Sequence, residues 1–216
     1  MRIITIFILI VLSSTLIGYA ADFDYPAQWK EVEELRIKDQ NFKAAKLVKT
    51  IYAAARLERN EQQIIKSASY RIGWEKEINE KGDVQLVQNL RLEIDSAISP
   101  LSRAIFRYLL GEVYWNYALE NDGRIKHRYF TNDTLSSDYT TWSMPSLIDT
   151  AYSYYMQALT ADSILQSALV SQYEMLCTKQ EQASLYRPTL YDILAASTIK
   201  FLEWSLDYKH SPSHRG

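Results

Sequence analysis

Apolar residues recur along this chain at intervals of three and four positions, and short polar breaks separate the repeats. The clearest case is residues 42–58, where apolar side chains lie at i, i+3, i+4, i+7 and i+11. These residues are Ala44, Leu47, Val48, Ile51 and Ala55. Lysines occupy the opposite side, so the segment is predicted to be an amphipathic helix with one buried face.

Capping residues and polar clusters predict where the helices begin and end. We expect an extended lead-in and then a first helix that starts near Trp29. Gly82 suits the left-handed position after a helix end, and Asp83 can cap the next helix. Ser99 and Pro100 are typical of a helix start, with serine as the cap and proline in the first turn.

The second half of the chain is less regular. Residues 121–143 are polar and aperiodic, which predicts a long loop of the kind that is often functional. We expect residues 161–182 to be helical and Pro188 to open the last helix. Gly111 interrupts a predicted helix at a cost of about 1 kcal/mol relative to alanine, and a close helix crossing would explain it.

The predicted fold class is all-α, with antiparallel helix pairs stacked as a TPR-like helical array of about seven to eight helices. The pairs repeat at roughly 35–45 residues, a pitch typical of helical-repeat proteins. The chain has 6 Gly and 5 Pro, too few turn formers for a β-sandwich or a barrel. A stacked array buries a continuous core and leaves an open face for partners.

The N-terminal residues are predicted to be a targeting signal. Arg2 precedes an almost wholly apolar stretch, and Gly18 and Ala20 fit the small-residue positions of a signal-peptidase site. We therefore expect a signal peptide over residues 1–20 with cleavage after Ala20, an α-helical module over 21–208 and a disordered tail over 209–216. An uncleaved anchor is the alternative. The mature chain is expected to be exported to the periplasm, envelope or exterior, without a membrane span.

No residue pattern predicts catalysis, a metal site or a cofactor. Cys177 is the only cysteine, so no intrachain disulfide can form. His127, His210 and His214 make no zinc-binding pattern, and the glycines form no phosphate-binding loop. The formal net charge of -2 argues against nucleic-acid binding. We expect no enzyme activity and no cofactor.

An aromatic and basic group is the predicted interaction surface. It comprises Trp115, Tyr117, Arg124, Arg128, Tyr129 and Trp142. Arginine stacked on aromatic rings can dock a peptide or another domain. In the alternative interpretation, which the pattern favours, Trp115 and Tyr117 are core residues and the arginines bind helix-end carbonyls.

Five segments, taken in order, carry a family resemblance. They are "FKAAKLVKTIYAAARLERN", "IIKSASYRIGWEKEI", "LLGEVYWNYALENDGRI", "SSDYTTWSMPSLI" and "YRPTLYDILA". Over residues 29–206 the chain resembles the N-terminal helical region of the alpha-2-macroglobulin-like proteins of Bacteroidetes. In that family the helical region precedes β-sandwich macroglobulin domains, which trap proteases or maintain the envelope.

The resemblance implies an exported interaction module that docks against macroglobulin domains or another protein partner. Some members of the family carry a Cys-x-Glu-Gln thioester, whereas Cys177 lies in "CTKQEQ" and lacks that spacing. We therefore expect a truncated form without macroglobulin and thioester domains. The alternative function is a standalone TPR-like envelope protein that binds peptides or glycans.

Overall fold

The structure, a computed structural model, describes residues 23–78, 82–125, 128, 136–173 and 188–210. The α-helices in these residues are α1 (Tyr25–Ile37), α2 (Asn41–Glu58), α3 (Glu61–Ile78), α4 (Gly82–Asp95), α5 (Pro100–Glu120), α6 (Asp122–Ile125), α7 (Met144–Leu159), α8 (Asp162–Ser167) and α9 (Leu190–His210). Two 3₁₀ helices cover Tyr139–Thr141 and Val170–Gln172.

The described residues form an all-α helical array, which confirms the predicted fold class. Helices α1 to α5 each pack on the next helix in the chain, α5 packs on α7, and α9 packs on both α7 and α8. Seven of the helices have 13 residues or more, in line with the expected number. No helix in the described part of the chain is long and apolar enough to cross a bilayer.

Two hydrophobic clusters hold the array together. The smaller cluster joins α1, α2 and α3 through Trp29, Val32, Ala44, Val48, Ile51 and Trp74. The larger cluster centres on α5 and α7 and extends from α2 to α9. The fully buried Tyr114, Tyr139 and Tyr155 are among its largest side chains. The abundant tyrosines therefore serve as core residues as well as surface residues.

The helix starts agree with the predicted caps in some places and differ in others. Ser99 caps α5 through a reciprocal bond with Ser102, and Pro100 opens the helix as expected. Helix α1 begins at Tyr25, before Trp29, because the Asp24 carboxylate accepts a hydrogen bond from the third residue after it.

The expectation for Gly82 is wrong. Gly82 is the first residue of α4 and is buried, and no glycine among the described residues has a positive φ. The left-handed positions fall instead on Asp39, after α1, and on Arg59, after α2. At Arg59 the left-handed backbone lets its own N–H and that of Asn60 close the last turn of α2.

The later segments also depart from expectation. Within the described part of the segment predicted to be helical over 161–182, the helix ends at Ser167 and the backbone of Leu169 pairs with that of Thr189. Residues 174–182 of that segment lie outside the described residues. The polar stretch 121–143 contains α6 and a 3₁₀ turn rather than a continuous loop. Helix α9 continues to His210, two residues into the predicted tail. The remaining residues of the tail, the signal peptide and Cys177 lie outside the described residues.

A close helix crossing explains Gly111, as predicted. A β-carbon at this position would lie 3.2 Å from two ring carbons of Tyr155 on α7. Only glycine lets α5 approach the aromatic ring of α7 this closely without displacing it.

Candidate functional site

A polar groove runs along the array between the start of α4, the end of α5, α6 and the 3₁₀ turn at Tyr139–Thr141. Its volume is about 420 Å³. Its lining residues are Asp83, Val84, Tyr117, Arg124, Arg128, Asp138, Thr140 and Thr141. Three of these, Tyr117, Arg124 and Arg128, belong to the interaction surface predicted from the sequence.

The wall formed by the 3₁₀ turn is fixed by Asp138. One oxygen of its carboxylate accepts hydrogen bonds from the Thr140 amide at 2.9 Å and the Thr140 hydroxyl at 2.6 Å. The Thr141 hydroxyl donates to the Asp138 carbonyl at 2.7 Å. A short aspartate side chain that bonds the backbone two residues later is a typical turn initiator, and it places Thr141 at the groove rim.

Tyr117 on α5 and Arg128, three residues after the end of α6, both bind the backbone of this turn. The Arg128 guanidinium donates to the carbonyls of Thr140, at 2.5 Å, and Trp142, at 3.1 Å. The Tyr117 hydroxyl donates to the same Thr140 carbonyl at 2.9 Å. Three hydrogen bonds thus hold the irregular backbone in one position. Moving the turn would leave half-buried carbonyls unpaired, which costs free energy.

The groove carries both signs of charge. Arg124 is exposed on α6, where it donates to the side-chain oxygen of Asn121. Asp83 lies on α4 across the groove. Burial, and secondarily the nearby Asp83 carboxylate, raise the pKa of Tyr139 far above the usual value for a phenol. This tyrosine therefore stays neutral beneath the groove.

A column of aromatic rings supports the floor of the groove. Trp142 stacks on Tyr114 with ring centroids 5.6 Å apart and planes 9° apart, and Tyr154 stacks on the other side at 5.9 Å and 15°. Tyr139 meets Tyr114 edge-on at 5.2 Å. Offset and edge-on pairs of this kind stabilise a core beyond the area that they bury. The column runs from the groove across α5 to α7.

The six residues of the predicted surface have different environments. Tyr117 and Trp142 are buried, at 3% and 7% exposure, while Arg124 is exposed. Trp115 is half-buried on the other side of α5, where it contacts Phe201 and Trp204. Tyr129 lies outside the described residues. Trp115 and Tyr117 are thus packed inside the array, and Arg128 binds carbonyls, as in the alternative interpretation.

The acidic half of the groove was not anticipated from the sequence. Asp83 was expected to be a helix cap, and Asp138 was part of an undivided polar stretch. The signal for Asp138 was present in "SDYTT", because an aspartate followed two residues later by threonine favours a capped turn. Only the packing of that turn against α4 brings the two carboxylates to one groove.

The part of the chain that the structure describes contains no candidate metal-binding cluster. Within residues 23–78, 82–125, 128, 136–173 and 188–210, no group of three or more His, Cys, Asp or Glu side chains could hold a metal ion. The groove presents guanidinium, carboxylate and hydroxyl groups held by backbone contacts. These groups are suited to hydrogen bonding with a polar ligand.

Comparison with known proteins adds no relative. No protein-family model matches the chain, and neither a curated protein nor a solved structure does so.

Proposed function

We propose that this protein is an exported helical interaction module that binds a protein partner through the charged groove. The single observation that carries the proposal is that Arg128, Tyr117 and Asp138 hold the irregular wall of the groove in place through hydrogen bonds within the chain. A surface that is already ordered loses little conformational entropy when a partner binds.

The groove suits an extended polar peptide segment. Arg124 supplies a cation at the rim, and Asp83 and Asp138 supply anions. Opposite charges placed on the two sides of a groove favour one orientation of a charged segment over its reverse. The resemblance to alpha-2-macroglobulin-like proteins makes macroglobulin domains, or another envelope protein, the proposed source of that segment.

The second candidate is a standalone protein that binds peptides or glycans in the envelope. It is favoured by Tyr152 and Met156, which are 46% and 41% exposed and lie one turn apart on α7. An exposed aromatic ring beside an apolar side chain is a suitable platform for a sugar ring or an apolar peptide residue. This surface is separate from the groove.

Site-specific photo-crosslinking tests the proposal in the native host. A photoreactive residue replaces Thr141 at the groove rim in the full-length protein, and the same residue replaces exposed Lys49 on α2 as the matched control. We expect a defined protein adduct from position 141 that position 49 does not give. Identical adducts from both positions would contradict the proposal.

A pair of charge reversals then links the adduct to the groove. Arg124→Glu changes the rim charge but leaves the Arg128 contacts intact, whereas Lys49→Glu makes the same change of charge on α2. Loss of a charge-assisted contact is expected to weaken the position-141 adduct by about tenfold or more in Arg124→Glu only. A glycan adduct at position 152, with none at 141, would support the second candidate.

A further inference from the structure

A second polar cavity lies at the other end of α4. It is open to solvent, lies between α4, α5 and α7, and has a volume of about 320 Å³. Its lining residues are Arg91, Ile94, Asp95, Arg107, Tyr154 and Gln157. Arg91 is eight residues after Asp83 on α4, so the cavity and the groove are separated by about 12 Å along that helix.

Two guanidinium groups converge on this cavity. Arg91 comes from α4 and Arg107 from α5, and neither forms an ion pair with a carboxylate among the described residues, where the ion pairs involve Arg36, Arg56 and Arg71. Two like charges that line one cavity repel each other, and this repulsion must be offset elsewhere.

Arg107 has an unmet hydrogen-bonding requirement. Its Nε is buried, and no acceptor in the described part of the chain reaches it. A buried donor without a partner costs free energy, about 1–3 kcal/mol. Because the Nε itself is inaccessible, the groups of Arg107 that can reach a ligand in the cavity are its terminal N–H groups.

Two other arginines bind the carbonyls at the C-terminal end of α4. Arg103, one turn before Arg107 on α5, donates to the Ile94 carbonyl at 3.3 Å, and Arg56 donates to the Ser96 carbonyl at 3.3 Å. These two side chains already serve the carbonyls at the end of α4. Arg91 and Arg107 are therefore not needed for that purpose.

The remaining lining groups include both donors and acceptors. Arg91 donates to the Tyr114 hydroxyl at 3.1 Å and has further N–H groups available, because a guanidinium carries five. The Tyr154 hydroxyl and the Gln157 amide can each donate and accept, and the Gln157 amide donates to the Ser153 hydroxyl at 3.0 Å. Asp95 is the one carboxylate of the lining and is exposed at the rim.

We propose that the cavity between α4, α5 and α7 is a binding site for an oxyanion group, which Arg91 and Arg107 grip from two helices. The shared chemistry is a planar or tetrahedral group with at least two acceptor oxygens, such as a carboxylate, sulfate or phosphate. Paired arginines suit such groups because their N–H donors match the spacing of the oxygens. The site goes beyond the proposed groove and does not depend on it.

Isothermal titration calorimetry of the full-length protein tests the site. The probes are sulfate, phosphate and glutarate, each titrated at constant ionic strength set with chloride. We expect saturable binding of at least one probe with a Kd of about 1 mM or tighter. Sulfate or phosphate binding would identify an inorganic or ester group as the source, and glutarate binding a carboxylate.

Matched variants separate the site from general electrostatics. Arg107→Gln is expected to weaken binding by about tenfold or more, while Arg103→Gln, the same change one turn earlier and outside the cavity, keeps it. Asp95→Asn removes a negative charge that repels an anionic ligand and is expected to tighten binding by about threefold. This gain does not depend on how well Arg107→Gln folds.

Two results would overturn the inference. One is the absence of saturation with all three probes. The other is an equal loss of binding in the Arg103 and Arg107 variants. Because Arg124 does not line this cavity, Arg124→Glu is expected to leave oxyanion binding unchanged. A failure of the oxyanion-site proposal is therefore distinguishable from a failure of the proposal that the groove binds a protein partner.

Discussion

Replacing Tyr155 with phenylalanine removes one hydroxyl from the centre of the array. Tyr155 lies on α7, is fully buried, and donates to the Glu112 carboxylate on α5 at 2.7 Å. The same carboxylate oxygen accepts a hydrogen bond from Ser197 on α9, also at 2.7 Å. One acceptor therefore joins three helices that are distant in sequence.

The size of the effect follows from this geometry. A hydrogen bond to a charged group contributes about 1.5–3 kcal/mol, and Ser197 preserves part of the pairing in the variant. Phenylalanine fills almost the same volume, so no large cavity forms. We expect Tyr155→Phe to lower the free energy of unfolding by about 1.5–2 kcal/mol and the Tm by about 3–8 °C for a chain of this size.

Chemical and thermal denaturation of the variant and a matched control measure the effect. Tyr152→Phe makes the same change three residues earlier on α7, at a side chain that is 46% exposed, and is expected to change stability by less than about 0.5 kcal/mol. Adding Ser197→Ala to each background completes a double-mutant cycle. Equal stabilities of the two phenylalanine variants would refute the reasoning.

Three further predictions concern packing, pH and processing. Gly111→Ala gains about 1 kcal/mol of helix propensity, but its new β-carbon would lie 3.2 Å from the Tyr155 ring, and overpacking of this kind costs about 1–3 kcal/mol. We therefore expect a net destabilisation of about 1 kcal/mol. Gly123→Ala, with nothing within 4 Å of the new β-carbon, is expected to stabilise the fold by about 0.5 kcal/mol, and changes of the same sign in denaturation experiments would contradict this. Burial raises the pKa of Tyr114 from 10.0 to about 12. The stability that this buried neutral phenol contributes is therefore complete below pH 10 and is lost as the pH rises toward 12. For this group the free energy of unfolding is expected to fall by up to about 1.4 kcal/mol per pH unit across that range, and a flat profile would be inconsistent with the burial. Mass spectrometry of the exported protein is expected to show cleavage after Ala20, and retention of the N-terminal residues would favour the anchor instead.

The helical fold could be predicted from sequence because its signal is local. The period of apolar residues in 42–58 corresponds to α2, and the serine–proline pair at Ser99 and Pro100 corresponds to the start of α5. Gly111 inside a predicted helix indicates a close crossing, although the sequence does not show that the neighbour is Tyr155. The misplaced features, such as Gly82 and the break after Ser167, depend on how a segment packs against distant helices.

The candidate sites were less predictable for the same reason. Arg124 and Arg128 stood out as basic residues beside aromatic ones, but the sequence does not show that Arg128 is occupied by two carbonyls. The convergence of Arg91 with Arg107 is a property of the α4–α5 contact. Neither arginine has a distinctive local pattern, so only the packed array reveals their shared cavity.

The pairing of each early helix with its immediate predecessor has a consequence for how the chain matures. Each of the helices α2 to α5 packs on the helix before it, so part of its apolar face can be covered as soon as it forms, from the N-terminal side onward. Contacts between helices that are distant in sequence become numerous only when α7 and α9 have formed. Such an order limits the time during which an apolar helix face stays exposed to solvent while the chain folds.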